Sequence, residues 1–187
     1  MKIKNALLGL SVLLMVVSCK TNPFTGEKNL NFVSNDQLFP TSFEQYNQFL
    51  NEAEVVNNTE EARKVKRLGE DIVTAAERYL NANGYQGFMN DFKWEFNLVK
   101  DDQANAFAMP GGKVVVYTGI LDEAQNTNGL ATIMAHEIAH ALADHGAQRM
   151  SAAQLQQLGA VAGTVAVSGR SESTQQIFAQ AYGLGTT

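Results

Sequence analysis

The stretch Leu130-Ala131-Thr132-Ile133-Met134-Ala135-His136-Glu137-Ile138-Ala139-His140-Ala141-Leu142 decides how this chain is read. It holds neither Gly nor Pro. Between Gly129 and Asp144 the only strongly polar side chains are Thr132, His136, Glu137 and His140. On a helix these four share one sector of roughly 140°, which also takes in Ile133. Ala131, Met134, Ile138 and Leu142 occupy the other side. The pattern predicts a helix over 130–142, buried nearly all round, with one polar strip. Buried imidazoles and a buried carboxylate need partners, and a metal ion supplies them.

The spacing within the strip has a chemical meaning. His136 and His140 are four residues apart, so they stand one turn apart on one helix face and can reach one ion. Glu137 lies at about 100° from His136. There it can take a proton from an attacking water without occupying a ligand position. This H-E-x-x-H arrangement is that of zinc peptidases, with Glu as general base. The chain has three His in all, and two fall in this motif. If the helix ran on, the third, His145, would point away from the His136 face. It is read as a capping or supporting group rather than a ligand. Asp144 and Glu172 are the only acids after His140. Asp144 shares the helix with both His and closes a tetrahedron poorly. Glu172 sits in a loop-like stretch, Gly169 to Ser173, as a weak third-ligand candidate.

Working outward, 187 residues with 45% hydrophobic and 18% charged side chains describe an ordinary globular chain and exclude wholesale disorder. A net charge of −5 with no basic block excludes a nucleic-acid surface. One Cys excludes an intrachain disulfide and a multi-cysteine zinc site.

That Cys has a context. Lys2 and Lys4 precede an apolar run from Ala6 to Val17, too short for a spanning helix, which needs about 20 residues. It has the form of a secretory signal. Val16-Val17-Ser18-Cys19 then resembles a bacterial lipobox, with cleavage before Cys19 and lipid on its thiol and amino group. The bland alternative is a short anchor with an incidental Cys. Acyl chains would hold the protein to a membrane surface, and Lys20 after the Cys leans towards the outer membrane. The expected division is a lipoprotein signal peptide at 1–18, a tether at 19–40 and the catalytic domain at 41–187.

Within that domain, Ser42 with Gln45 forms a possible capping box, followed by Phe43, Tyr46, Leu50 and Ala53 at helical spacing. A second helix starts near Asn58, carries Val65, Leu68, Ile72, Ala76 and Tyr79 on one stripe, and ends near Asn83-Gly84. Trp94, Phe96 and Leu98 alternate with polar residues as a half-buried strand. Pro110-Gly111-Gly112 is a turn, and Val114 to Tyr117 a second strand, which suggests an antiparallel hairpin or meander. Residues 151–167 read as a closely packed helix or an irregular segment. Helices, a small sheet, then helices argue an α+β fold.

Several of these segments together resemble one family. Trp94 to Val99, Asn105-Ala106-Phe107-Ala108-Met109-Pro110-Gly111-Gly112, Tyr117-Thr118-Gly119, His136 to His140 and His145-Gly146 resemble the HtpX-like and CaaX-prenyl-protease-related metallopeptidases. Cys19 followed by Thr21-Asn22-Pro23 and Thr25-Gly26 is similar to their periplasmic lipoprotein branch. The resemblance implies a gluzincin fold, a small antiparallel sheet packed on the H-E-x-x-H helix. It implies one zinc ion on His136 and His140, Glu137 as general base, and Asn105, Ala106 and Phe107 bordering the cleft, where an edge strand pairs with substrate backbone. It also implies misfolded or misassembled envelope proteins as substrates. The family's third ligand is a Glu in a Glu-x-x-x-Asp pattern. None follows His140, and Glu172 has Gln176 four residues on. A C-terminally incomplete sequence is therefore expected. The competing readings are a non-catalytic lipoprotein chaperone or assembly factor on the same scaffold, and an inactive fragment that lacks the third ligand.

Overall fold

The computed structural model describes residues 19–30 and 32–181, which fall into two compact units divided after Gln148. The expected signal segment, 1–18, lies outside the described residues.

The first unit contains β1 (Cys19–Thr21), β2 (Lys28–Leu30), α1 (Asn35–Glu52), β3 (Val55–Val56), α2 (Glu60–Ala82), β4 (Glu95–Val99), β5 (Ala106–Met109), β6 (Lys113–Tyr117), α3 (Ile120–Ala124) and α4 (Thr127–Leu142). Then follow α5 (His145–Val167) and α6 (Glu172–Ala181). The fold is α+β. Strands β1 and β2 pair antiparallel by themselves. The main sheet runs β3-β4-β6-β5.

The sheet is mixed, which corrects the antiparallel expectation. The two strands expected to pair antiparallel, β4 and β6, pair parallel, Phe96 opposite Val114 and Leu98 opposite Val116, and the hairpin across Pro110-Gly111-Gly112 is made by β5 and β6 instead. The loop after β4 makes this possible. Thr118 and Asp101 exchange hydrogen bonds: Asp101 N donates to Thr118 Oγ1 at 3.1 Å, and Thr118 Oγ1 donates to the Asp101 carbonyl at 2.9 Å. These bonds pin the loop beside the end of β6, so the chain crosses over and returns as β5.

Both faces of β6 are covered. Val114 and Val116 join a core with Val65, Phe96, Leu98, Met134 and Ile138. Val115 joins Tyr46 and Val99 on the opposite face, with Phe49, Phe107 and Tyr117 packed around them. A strand buried on both sides reads as a continuous apolar run, and Val114-Val115-Val116 is one. Residues of α2 and α4 pack on the first face and α1 supplies Tyr46 and Phe49 to the second. Val65, Leu68, Ile72 and Ala76 all enter the core as the periodicity of α2 predicts, but Tyr79 is 55% exposed.

Three helix starts differ from expectation. α4 begins at Thr127, three residues before Leu130. α2 is capped by Thr59, whose hydroxyl accepts from Ala62 N at 3.1 Å, one residue later than foreseen. α1 begins at Asn35, seven residues before the expected cap at Ser42, and carries Pro40 inside it. The expected tether at 19–40 therefore includes a hairpin and the first six residues of a helix. Proline removes one i→i−4 bond. The burial of Leu38 and Phe39, with Phe39 edge-on to Phe92 at 5.2 Å, offsets that loss. Ser42 is buried mid-helix and donates to the Pro110 carbonyl at 2.7 Å.

The turn it holds has the type II signature, with Pro110 second and Gly111 third at φ +83 and Gly112 N donating to Met109 O. A Cβ on Gly111 would also meet the rings of Phe43 and Phe39. Gly111→Ala is expected to cost about 2–3 kcal/mol of stability from strain and overpacking together. A fall in urea midpoint at unchanged slope is the measurement, and an unchanged midpoint would show that the turn relaxes freely.

In the second unit, residues 151–167 are helical throughout, and Leu158, Val161 and Val165 are exposed rather than closely packed. Among the described residues no helix is long and apolar enough to cross a membrane.

Candidate metal centre

α4 starts at a strong cap. Asn126 Oδ1 accepts from the backbone N–H groups of Asn128 and Gly129, at 2.9 and 3.1 Å, and satisfies two of the orphan donors of the first turn. Leu130, Met134, Ile138, Ala141 and Leu142 are its buried positions, with Met134 and Ile138 almost wholly enclosed. This burial fixes the rotation of the helix. Thr132 and His136 are exposed, and Glu137 and His140 are half-buried. The polar strip expected from the pattern thus lines a surface that opens to solvent.

The two imidazoles converge. His136 Nε2 and His140 Nε2 face each other at 3.0 Å, with ring centroids 4.4 Å apart. Two nitrogens bound to one tetrahedral zinc at about 2.0–2.1 Å lie about 3.3 Å apart. The pair fits such an ion with a shift of a few tenths of an ångström, and its chemistry, two imidazole nitrogens, suits zinc. A third ligand does not emerge. Among the described residues no group of three His, Cys, Asp or Glu side chains is placed to hold a metal. Glu172 is the first residue of α6, in the second unit.

His145 is where extrapolation of the helix fails. α4 ends at Leu142 and the chain turns at Asp144, with φ +58, before α5 begins. The turn reverses the direction His145 would otherwise take. Its Nδ1 meets His140 Nδ1 in a short contact, with the ring centroids 4.7 Å apart. His140 is thus bracketed, Nε2 towards His136 and Nδ1 towards His145.

β5 lies against α4 at the edge of the sheet. Ala106 and Ala108 pack on the core side, where their small size admits the helix closely. Phe107 points to the other face, edge-on to Phe49 at 5.6 Å and to Tyr117 at 6.0 Å. Of the expected cleft residues, the Phe107 side chain is therefore turned away from the His pair, and the Asn105 side chain is exposed. The main chain at the sheet edge is what borders α4. Asn105 O accepts from Tyr117 N at 3.0 Å. Antiparallel pairs alternate. Hence Asn105, Phe107 and Met109 bond inward to β6, and Ala106 and Ala108 direct their N–H and C=O groups to the edge that no described strand covers.

Cys19 opens β1, and the turn after it reaches the C-terminal end of α4. Asn22, 3% exposed, donates from Nδ2 to the Leu142 carbonyl at 2.8 Å and to Asp144 Oδ2 at 3.2 Å. Its Oδ1 accepts from Phe24 N and Thr25 N. In the sequence, Asn22 stands out only within the family resemblance. An Asn before Pro-Phe-Thr-Gly signals a turn, and nothing local says that the turn docks on a helix more than a hundred residues away.

Comparison of the sequence with known proteins places it in a family. The profile described as Peptidase family M48 matches residues 60–186. The chain is 46% identical over 63 residues to the mitochondrial metalloendopeptidase OMA1 of Schizosaccharomyces pombe, covering 34% of this chain and 19% of that protein. It is 40% identical over 97 residues to its Saccharomyces cerevisiae counterpart, covering 51% and 28%. It is 36% identical over 77 residues to the beta-barrel assembly-enhancing protease of Escherichia coli, covering 39% and 16%. The chain thus aligns with between a sixth and under a third of the length of these relatives. The family match spans more than half of the chain and includes α2, the whole main sheet except β3, and the His136–His140 helix. On that match, this chain belongs to Peptidase family M48.

Proposed function

We propose that His136 and His140 hold one zinc ion and that the protein is a zinc-dependent endopeptidase of the bacterial envelope. The observation that carries this is the convergence of the two Nε2 atoms at 3.0 Å on a helix packed along a strand edge that no described strand covers. A zinc ion held there would lower the pKa of a water and polarise a peptide carbonyl. Glu137, half-buried next to His136, takes one proton from the attacking water and passes it to the leaving nitrogen as the C–N bond breaks. The Ala106 and Ala108 main chain binds the substrate as an added strand, which presents its backbone extended beside α4. A site that recognises main chain rather than side chains accepts unfolded polypeptide. This supports misfolded or misassembled envelope proteins as the substrate class. It agrees with the names of the relatives, one of which is a beta-barrel assembly-enhancing protease.

Cys19 is the proposed lipid attachment site. It would place the protein in the periplasm, held to a membrane, with the outer membrane favoured by Lys20. Mass analysis of the mature protein checks this. Acylated Cys19 is expected at the N-terminus, and an intact residue 1 or a free thiol at Cys19 would reject it.

The endopeptidase reading is tested on the full chain by metal analysis and by cleavage of an unfolded protein. One zinc per chain is expected, with cleavage lost on chelation and restored by zinc. A protein that binds unfolded chains, holds no zinc and cleaves nothing is a chaperone or assembly factor, and the proposal fails.

A further inference from the structure

We infer that Asn22 is a positioning residue for the metal centre and acts on His140 through Asp144 and His145. The inference rests on the proposal that His136 and His140 hold zinc.

Each link is a contact in the first unit. Asn22 is buried and its amide nitrogen has two acceptors: the Leu142 carbonyl, one of the orphan carbonyls at the end of α4, and the Asp144 carboxylate. Asp144 occupies the left-handed region at φ +58, which L residues other than Asn and Asp rarely adopt. Its own carbonyl accepts from Gln148 N and so starts α5. The kink at Asp144 is what aims His145 back at α4. Gly146 seats the same turn on the other side, since a Cβ there would lie 2.7 Å from Pro110 Cγ. His145 is therefore held from both flanks, and its Nδ1 meets His140 Nδ1.

That last contact bears on metal binding. A His that ligates through Nε2 carries its proton on Nδ1 and needs an acceptor for it. Such partners fix the ring orientation, and removing one costs about 10–100-fold in metal affinity. With zinc on its Nε2, His140 would donate from Nδ1 to His145 Nδ1, and the proton of His145 would then sit on its Nε2. The Nε2 of His140 then faces that of His136. The strap that begins at Cys19 thus ends on the group that orients a metal ligand. The hydrogen bonds from Asn22 span 120 and 122 residues of sequence.

The test measures zinc affinity of the full chain by competition with a chelator. It also records the visible absorption of the cobalt-substituted protein, which reports ligand geometry. Asn22→Asp keeps the acceptor for Phe24 N and Thr25 N, loses the amide donor and sets two carboxylates together. It is expected to weaken zinc by about tenfold or more and alter the cobalt spectrum, as His145→Ala does by about 10–100-fold. In the His145→Ala background, Asn22→Asp should add little, because its effect runs through His145. Asn22→Asp with Asp144→Asn reverses the donor and acceptor and should recover part of the loss. Wild-type affinity in His145→Ala overturns the inference, whether or not Asn22→Asp folds. Fully additive losses overturn the route through His145. A wild-type chain that binds no zinc overturns the underlying metal reading as well, and so separates the two failures.

Discussion

Glu137→Gln is expected to lower cleavage by about 10³-fold while zinc content stays at the wild-type level. The substitution is nearly isosteric, and the side chain is half-buried on α4. The carboxamide fills the same space and cannot accept the proton. Nothing in the placement of His136 and His140 depends on it, since their convergence is set by the buried Leu130, Met134, Ile138 and Leu142 on the opposite side of the helix. Loss of rate with retention of metal therefore separates a base from a ligand. The measurement is the single-turnover rate on an unfolded substrate beside metal content. A variant that cleaves within a few-fold of wild type removes Glu137 from the chemistry. A variant that loses its zinc makes it a ligand instead.

The helix to which this chemistry is assigned is legible in the sequence because two signals coincide there. An apolar periodicity of 3.6 marks which face is buried, and the polar strip left over holds His136, Glu137 and His140. The same periodicity identified the buried stripe of α2. What escaped was whatever depends on a backbone angle or a distant partner. The start of α1 was missed because Pro40 reads as a breaker, while the structure uses buried Leu38 and Phe39 to carry the helix through it. The parallel pairing of β4 with β6 was missed because the alternation at Phe96 and Leu98 is the same in either direction. The choice lies in the loop bonds between Thr118 and Asp101. The phase of α4, carried on past Leu142, misplaces His145. Asp144 is compatible with a helix and with the left-handed turn, and its φ of +58 and its bond from Asn22 show which it adopts.

The second large effect is expected at the strand edge. Ala108→Pro should raise KM for an extended substrate by about 10–100-fold and leave kcat within a few-fold. Ala108 stands opposite Val114 in a pair that directs its main-chain groups outward, so a proline there removes no bond of the β5–β6 ladder. Prolines are tolerated on such edges for that reason. The N–H it deletes is one the substrate backbone would use. Losing that bond and leaving a substrate carbonyl unpaired against α4 costs about 1.5–3 kcal/mol, which is the stated range of KM. Phe107→Pro is the contrast. It breaks a bond to β6 and removes a ring that packs on Phe49 and Tyr117, so its effect should be a lower melting temperature rather than a selective change in KM. A short substrate that does not reach β5 should be cleaved alike by wild type and Ala108→Pro. If Ala108→Pro binds extended substrates as well as wild type, the substrate is not added to this sheet, and the small residues at 106 and 108 serve only to bring α4 close.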